Sequence, residues 1–318
     1  MNNKVKLSQA SMIVTLGILL SLITVYIPFL GILSLVIPVP YAIIGTLTDN
    51  KYSALALIAT FFVLIFTVSP VYAVSISIVS VFPGIVIGSA ARVYINGESN
   101  NKFEPIYMGT IAVVLSIIIF YLVSNFVFGT NILDDFMKMM KETVDTQASI
   151  LGSAGLSLGE GMKVDDFLDL VTNMIPAILF LQGIMLAFII YYMEVFILRR
   201  TRQLKLQAPK FADFYLPGNA IVTSLVLYLL VLFIDMMGIK LHTDLIMMNL
   251  QLVFNFLFMI QGIAVAVYYL KKWLKQNQIK NVFISGLILS IFGFIGVSFV
   301  GMLDSIIDFR KVRSYKSI

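Results

Sequence analysis

Long apolar stretches separated by short polar ones dominate the chain. Residues 7–48 contain no Asp, Glu, Lys or Arg, and neither do residues 52–91. An α-helix needs ~20 apolar residues to cross the hydrocarbon core of a bilayer, so each stretch is long enough for two crossings. Prolines such as Pro28 and Pro70 fall between apolar runs and mark short turns. The pattern predicts an all-α protein, a polytopic bundle of transmembrane helices.

Eight spans and one further apolar segment fit this pattern, all within a single integral membrane domain, residues 1–318. Pro38, Pro40 and Pro83 fall inside apolar runs, where neighbouring helices satisfy the carbonyls that a proline frees. The predicted spans are residues 9–28, 31–48, 52–69, 71–91, 105–129, 171–197, 218–237 and 245–270, and the further segment is 281–303.

Basic residues at the ends of the apolar runs orient the chain, because cytoplasmic loops carry an excess of Lys and Arg. Lys4 and Lys6 predict a cytoplasmic N-terminus. The loop 199–217 carries five basic residues and is predicted to be cytoplasmic. The loop 130–170 carries eight acidic residues against three lysines and is predicted to lie outside.

The last apolar segment does not fit a single crossing. One crossing of 281–303 would leave the basic tail, including Arg310 and Lys311, outside the membrane, against the charge rule. We therefore predict a re-entrant hairpin that turns at Gly293 and Gly296 and returns the tail to the cytoplasm. Such backbone is tolerated where protein or water covers it. The alternative is that one of the earlier spans is wrong.

The residue patterns of two loops predict structure within them. Apolar residues of the stretch 132–144 recur at helical spacing opposite charged ones, which predicts an amphipathic helix on the outer interface. The cytoplasmic loop contains Phe211, Phe214 and Tyr215 and is too apolar for a free linker. It is either an interfacial elbow packed against the bundle or a docking surface for a partner, and we favour the elbow.

Composition excludes most other classes of function. The 318 residues are 59% hydrophobic and 12% charged, about half the charged fraction of a typical soluble domain. The net charge of +5 comes from clusters at span ends, which are topology signals and not a nucleic-acid-binding face. With no cysteine, one histidine and no phosphate-binding or nucleophile motif, we expect no catalytic residue, metal site or cofactor. We therefore predict that the protein is not an enzyme.

Polar side chains inside the spans are the candidate binding residues, because an amide in hydrocarbon is costly unless it finds a partner. Four are singled out as tentative ligand-binding residues: Gln182, Gln251, Asn255 and Gln261. Gln182 and Gln261 each precede a glycine. Either these amides hydrogen-bond across close helix contacts, or they line a cavity for a small polar or amphipathic ligand.

Acidic residues near the span ends have structural interpretations. Glu194 lies about a turn before Arg199 and is expected at the membrane interface. Asp304 and Asp308 precede Arg310 and Lys311 at spacings that suit ion pairs on a helix, so they are expected to cap the last helix.

Three segments, "FADFYLPGN", "FMIQGIAVAVYYLKK" and "GMLDSIIDFRK", are similar to the YybS family of bacterial inner-membrane proteins. The resemblance implies a multi-pass protein of a bacterial cell membrane. The residues that carry it are Leu216, Pro217, Gln261, Gly262, Gly301, Asp304, Asp308, Phe309 and Arg310.

The first four spans also resemble the substrate-capture (S) subunits of energy-coupling-factor transporters, through "YIPFLG", "IPVPYAIIG" and the small residues of the first helix. In those subunits an Ala-x-x-x-Ala pattern docks a transmembrane partner. The matching positions here are Ser11 with Thr15, and Gly17 with Ser21. The resemblance implies an S-subunit-like fold for the N-terminal part and a membrane-protein partner at Ser11 and Thr15.

Two functions follow. The first is binding, or helping to transport, a small ligand within the bundle, which requires a polar cavity near Gln182, Gln251 and Asn255. The alternative is a non-catalytic scaffold that binds other membrane proteins in cell-envelope or signalling assemblies. A scaffold should pair its amides across tight helix contacts and bind partners through Phe211, Phe214 and Tyr215. In both cases the bilayer is a partner and nucleic acid is not.

Overall fold

The computed structural model describes residues 7–153, 164–201, 209–217, 220–239, 242–274, 293 and 295–312. Within these ranges the chain is helical apart from short turns and contains no strand. It divides into two compact units, Met1–Ala208 and Pro209–Ile318. The interpretation of residues 1–318 as one membrane domain stays a prediction.

The N-terminal unit is a set of helices joined by short turns. A 3₁₀ segment, Pro28–Val36, precedes α2, and a π-helical turn, Ser77–Val81, joins α4 to α5. Pro38 lies in the first turn of α2, where the missing N–H breaks no helical hydrogen bond, and Pro83 directly follows the π-helical turn within the continuous helical segment Pro70–Ile95. The helices are α1 (Leu7–Tyr26), α2 (Pro38–Leu47), α3 (Asn50–Thr67), α4 (Pro70–Ile76), α5 (Phe82–Ile95), α6 (Glu104–Phe126), α7 (Ile132–Ser153) and α8 (Val164–Arg200).

The C-terminal unit begins with residues 209–217, which we name the inner loop after its predicted side and which form a 3₁₀ turn at Phe211–Asp213. Three described helices follow: α9 (Ala220–Met236), α10 (Thr243–Leu274) and α11 (Ile295–Ile307).

Seven helical segments in the described part of the chain are long and apolar enough to cross a membrane. Six begin and end close to the predicted spans, and the longest extends the span predicted at 171–197 to Asp166–Arg200. The span predicted at 218–237 is the 17-residue helix α9. The prediction of an all-α, polytopic bundle is confirmed. Residues 281–292 of the last apolar segment lie outside the described residues.

Helices α2 and α5 run parallel and pack backbone to backbone. A Cβ added to Gly45 would lie 2.6 Å from the carbonyl oxygen of Ile85. One added to Gly88 would overlap the carbonyl oxygen of Ala42 and lie 2.9 Å from the amide nitrogen of Thr46. Small residues allow this close approach between membrane helices, which lack a hydrophobic driving force for association.

Helices α10 and α11 form a second parallel pair. A Cβ on Gly301 would overlap the carbonyl oxygen of Phe258 and lie 2.6 Å from the amide nitrogen of Gly262. Ser298 donates to the carbonyl of Asn255 at 2.8 Å, and Tyr269 further along α10 reaches the carbonyl of Phe309 at 3.3 Å. The C-terminal ends of α10 and α11 therefore lie at the same end of this unit, which the predicted hairpin requires. The hairpin itself stays a prediction, because residues 281–292 lie outside the described residues, and Gly296, one of its predicted turn residues, lies within α11.

Helix α7 forms most of the described part of the loop 130–170, whereas residues 209–217 of the loop 199–217 form only a 3₁₀ turn. Helix α7 confirms the helix predicted over 132–144, and its apolar residues Phe136 and Met139 are exposed. Its position at the outer interface stays a prediction, as do the sides assigned to the loops 130–170 and 199–217. The residues that follow α7, 154–163, lie outside the described residues.

Candidate functional site

A buried polar cluster joins α10, α11 and the inner loop of the C-terminal unit. Gln261 is 0% exposed, Asp304 1% and Arg310 4%. The Gln261 side-chain amide donates to Asp304 Oδ2 at 2.8 Å, and its oxygen accepts the backbone N–H of Leu216 at 3.1 Å. Both ends of the glutamine are therefore occupied.

Arg310 completes this cluster. Its Nη2 lies 2.7 Å from Asp304 Oδ2, and its guanidinium also donates to the carbonyls of Ala212 and Phe214, each at 2.7 Å. A guanidinium has five N–H donors and no acceptor, so these oxygens are suited to it. We name Gln261, Asp304 and Arg310, with the carbonyls of Ala212 and Phe214 and the N–H of Leu216, the C-terminal cluster.

Asp304 forms an ion pair, as expected, but not along a helix face. Asp304 pairs with Arg310, six residues on, because α11 ends at Ile307 and the chain then turns back. Asp308 has a left-handed φ of 48° at this turn, and its side chain accepts the backbone N–H of Val312 at 3.1 Å. The pair thus forms across a reversed chain end and not along a helix face.

The C-terminal cluster holds the inner loop against the helices. Phe214 is fully buried, and its carbonyl accepts from Arg310. Phe211 stacks on Phe214 with ring centroids 6.2 Å apart, and Phe211 and Tyr215 are both half-buried. This packing favours the elbow over the docking surface. The docking role assigned to these aromatic residues stays a prediction.

The four predicted ligand-binding amides do not share one environment. Gln182 belongs to the N-terminal unit and is exposed. Gln251 and Asn255 are exposed on α10, whereas Gln261 is buried and paired. Their role in ligand binding stays a prediction.

The predicted docking positions on α1 are both exposed. The hydroxyl of Thr15 donates to the carbonyl of Ser11 at 2.9 Å. The second small pair differs, because Gly17 packs against the ring of Tyr41 and Ser21 is buried. The first pair is therefore exposed and the second is buried, and the docking role of the first pair stays a prediction.

A second buried acid lies in the N-terminal unit, where sequence reasoning missed it. Glu194 was expected at the interface, but the structure buries its side chain at 0% exposure against Thr46. Its Oε1 contacts the Thr46 hydroxyl, and its Oε2 has no hydrogen-bond partner among the described residues. Its position inside the predicted span 171–197 was the signal, because an ionisable residue in a span is a functional candidate by default.

The close packing of α2 and α5 builds the surroundings of Glu194. The Gly45–Gly88 contact sets Thr46 beside α5, so that its hydroxyl lies 2.9 Å from the carbonyl oxygen of Gly88. The same hydroxyl contacts Glu194 on α8. Three oxygen-bearing groups therefore meet at one point: a carboxyl, a hydroxyl and a backbone carbonyl. We name Glu194, Thr46 and the Gly88 carbonyl the Glu194 site.

Comparison with known proteins assigns the chain to a family. Residues 15–305 match the family described as "Predicted membrane protein (DUF2232)". The chain belongs to this family. It is 23% identical over 273 residues to the "Uncharacterized protein YybS" of Bacillus subtilis (strain 168), which covers 84% of each chain. No solved structure matches the chain.

Family membership confirms the YybS-like resemblance and the assignment as a multi-pass membrane protein with a bacterial relative. The three segments on which that resemblance rests meet in the C-terminal cluster, through Leu216, Gln261, Asp304 and Arg310. The more distant resemblance to energy-coupling-factor S subunits stays a prediction. So do the bacterial inner membrane as location and the cytoplasmic N-terminus.

Proposed function

We propose that this membrane protein binds a small ligand within the helical bundle of its N-terminal unit and helps to transport it with partner proteins. The observation that carries the proposal is Glu194, a fully buried acid with one oxygen left without a partner. Buried acids in membrane helices mark ion and substrate pathways. An unpaired polar atom of this kind costs free energy, so its presence supports a binding role.

The ligand's chemistry follows from the atoms at the Glu194 site. The carboxyl, the hydroxyl and the carbonyl offer mainly acceptor oxygens. They therefore suit a positively charged group or a hydrogen-bond donor, such as an ammonium or a hydroxyl. A single carboxyl beside a threonine hydroxyl supports binding and not catalysis, so we propose that the protein is not an enzyme.

The test is native mass spectrometry of the protein purified gently from its own membrane. We expect a retained small molecule in the wild type that Glu194→Gln loses, because the amide has one acceptor fewer and no charge. Glu98→Gln makes the same chemical change at an exposed position and serves as the matched control. A small molecule retained equally by Glu194→Gln, or by none of the three proteins, would remove the proposal.

The scaffold function is the second candidate, and one observation favours it. Gln251 and Asn255 are exposed four residues apart on α10, a membrane-spanning helix. An amide facing hydrocarbon is costly, and a polar residue on a partner helix would satisfy it. A partner protein that co-purifies with the wild type and is lost from Gln251→Leu/Asn255→Leu would support the scaffold.

A further inference from the structure

The hydroxyl of Thr46 has two neighbours and one proton. It lies 2.9 Å from the carbonyl oxygen of Gly88 and also contacts Oε1 of Glu194. A threonine hydroxyl can donate one hydrogen bond and accept others. A backbone carbonyl only accepts, and an ionised carboxylate only accepts.

With Glu194 ionised, the three groups have one proton, that of the Thr46 hydroxyl, for two hydrogen-bonding contacts. Thr46 can donate to Gly88 or to Glu194, and the other contact then brings two acceptor oxygens together. The second carboxylate oxygen, Oε2, would also be buried without a donor among the described residues. A buried ionised group without partners is far more costly than a neutral one.

With Glu194 neutral, both contacts hold a proton. The acid donates from Oε1 to the Thr46 hydroxyl, and that hydroxyl donates to the Gly88 carbonyl. Oε2 is then the carbonyl oxygen of a neutral acid, so the atom left without a partner carries no formal charge. The arrangement becomes a continuous chain of hydrogen bonds from α8 through α2 to α5.

We propose that Glu194 is an intramembrane proton-binding site, which carries a proton on Oε1 in this conformation. That proton is donated in a hydrogen bond to the Thr46 hydroxyl, which in turn donates to the Gly88 carbonyl. The proposal rests on the proposed function in taking Glu194 as the ligand-engaging group. It adds that in this conformation Glu194 binds a proton, which requires no cavity beside the carboxyl. Loss of the proton gives a carboxylate, which a cationic or hydrogen-bond-donating ligand can then engage.

Other ionisable groups on the surrounding helices have contacts of their own. The guanidinium of Arg92 donates to the carbonyl of Thr48 and the side chain of Asn50, and the Tyr191 hydroxyl donates to the carbonyl of Lys102 at 3.1 Å. Neither is hydrogen-bonded to Glu194 in the described part of the chain. The charged and titratable residues of α2, α5 and α6 are Tyr41, Arg92, Tyr94, Glu104, Tyr107 and Tyr121, and those of α8 within two turns of Glu194 are Tyr191, Tyr192, Arg199 and Arg200; Lys102 lies just before α6.

Infrared spectroscopy of the full protein in lipid vesicles tests the proposal, because a protonated carboxylic acid has a C=O stretching band that a carboxylate lacks. We expect this band in the wild type at neutral pH, its loss in Glu194→Gln and its retention in Glu98→Gln. Labelling glutamate with ¹³C should move the band, which separates it from aspartic acids. A spectrum in which Glu194→Gln removes no such band would overturn the proposal.

A second variant covers the case in which Glu194→Gln does not fold. Thr46→Val keeps the acid but removes the hydroxyl that accepts from it, so the labelled band should shift and remain. A wild type without any isotope-sensitive acid band overturns the proposal whatever the variants do. The ligand proposal can fail separately. An acid band in a protein that retains no small molecule would support the proton-binding site and contradict the binding of a small ligand.

Discussion

Two buried acids, Asp304 and Glu194, lie at similar places in the two units but have opposite surroundings. Asp304 lies on one helix of a parallel pair that packs backbone to backbone at Gly262 and Gly301, and Glu194 lies on α8 beside a second such pair, which packs at Gly45 and Gly88. Asp304 is neutralised by an arginine and hydrogen-bonded by an amide. Glu194 has one hydroxyl contact and one oxygen without a partner in the described residues.

The difference separates a structural acid from a functional candidate. Burying a charge costs several kcal/mol, and only a full set of partners offsets that cost. The C-terminal cluster has such a set and fixes the inner loop. The Glu194 site lacks one, so a proton or a ligand can supply what is missing. The two acids are both buried, so burial alone would assign them the same role. The number of their hydrogen-bond and ion-pair partners distinguishes them.

The largest expected effect is at the paired acid. Asp304→Ala leaves the Arg310 guanidinium buried without its carboxylate, which should lower the free energy of unfolding by about 3–5 kcal/mol. Chemical unfolding in detergent measures it. Asp244→Ala, at an exposed position on α10, is the control. An equal loss in both variants would mean that Asp304 contributes nothing beyond an ordinary surface acid.

The glycine crossings come next. Gly301→Val places a side chain against the carbonyl of Phe258 and should destabilise the protein by about 1–3 kcal/mol, the usual cost of overpacking. Gly88→Val should do the same in the N-terminal unit. Gly31→Val serves as the control, because a Cβ at Gly31 meets nothing within 4 Å. If Gly301→Val and Gly31→Val unfold alike, the close packing at α10 and α11 is refuted.

A smaller loss is expected at the glutamine. Gln261→Leu removes the hydrogen bonds to Asp304 and Leu216 and should cost about 1 kcal/mol, within the range measured for hydrogen bonds between membrane helices. Gln251→Leu, on the same helix but exposed, should leave thermal stability unchanged. The opposite ranking of the two variants would contradict the assignment of Gln261 to packing.

The spans and the helix over 132–144 were predictable from sequence because hydropathy and helical period are local properties. The role of Gln261 was not, because its partners Leu216 and Asp304 are 45 and 43 residues away in the chain. The spacing of Asp304 and Arg310 misled for a related reason: where α11 ends depends on the turn at Asp308. The sequence predicted that a helix is present and which residues share a face, but not the residue at which the helix ends.

The burial of Glu194 was not predictable from sequence because it depends on how the helices pack. A position near the inner end of a span suits an interfacial residue, and nothing local says that α2 will cover it. That cover depends on Gly45 and Gly88, which bring Thr46 to the acid from more than a hundred residues away in sequence. The presence of an acid inside an apolar run was visible, whereas its partners were not.

One paired measurement tests the central claim most directly: the unfolding free energies of Glu194→Gln and Asp304→Asn in the same detergent. Both variants exchange an acid for its amide of equal shape. We predict that Glu194→Gln stays within about 0.5 kcal/mol of the wild type, because the amide replaces a neutral acid, whereas Asp304→Asn loses more than that benchmark for neutral substitutions. Equal losses in the two variants, or a larger loss at Glu194, would contradict the distinction between a locked acid and an available one.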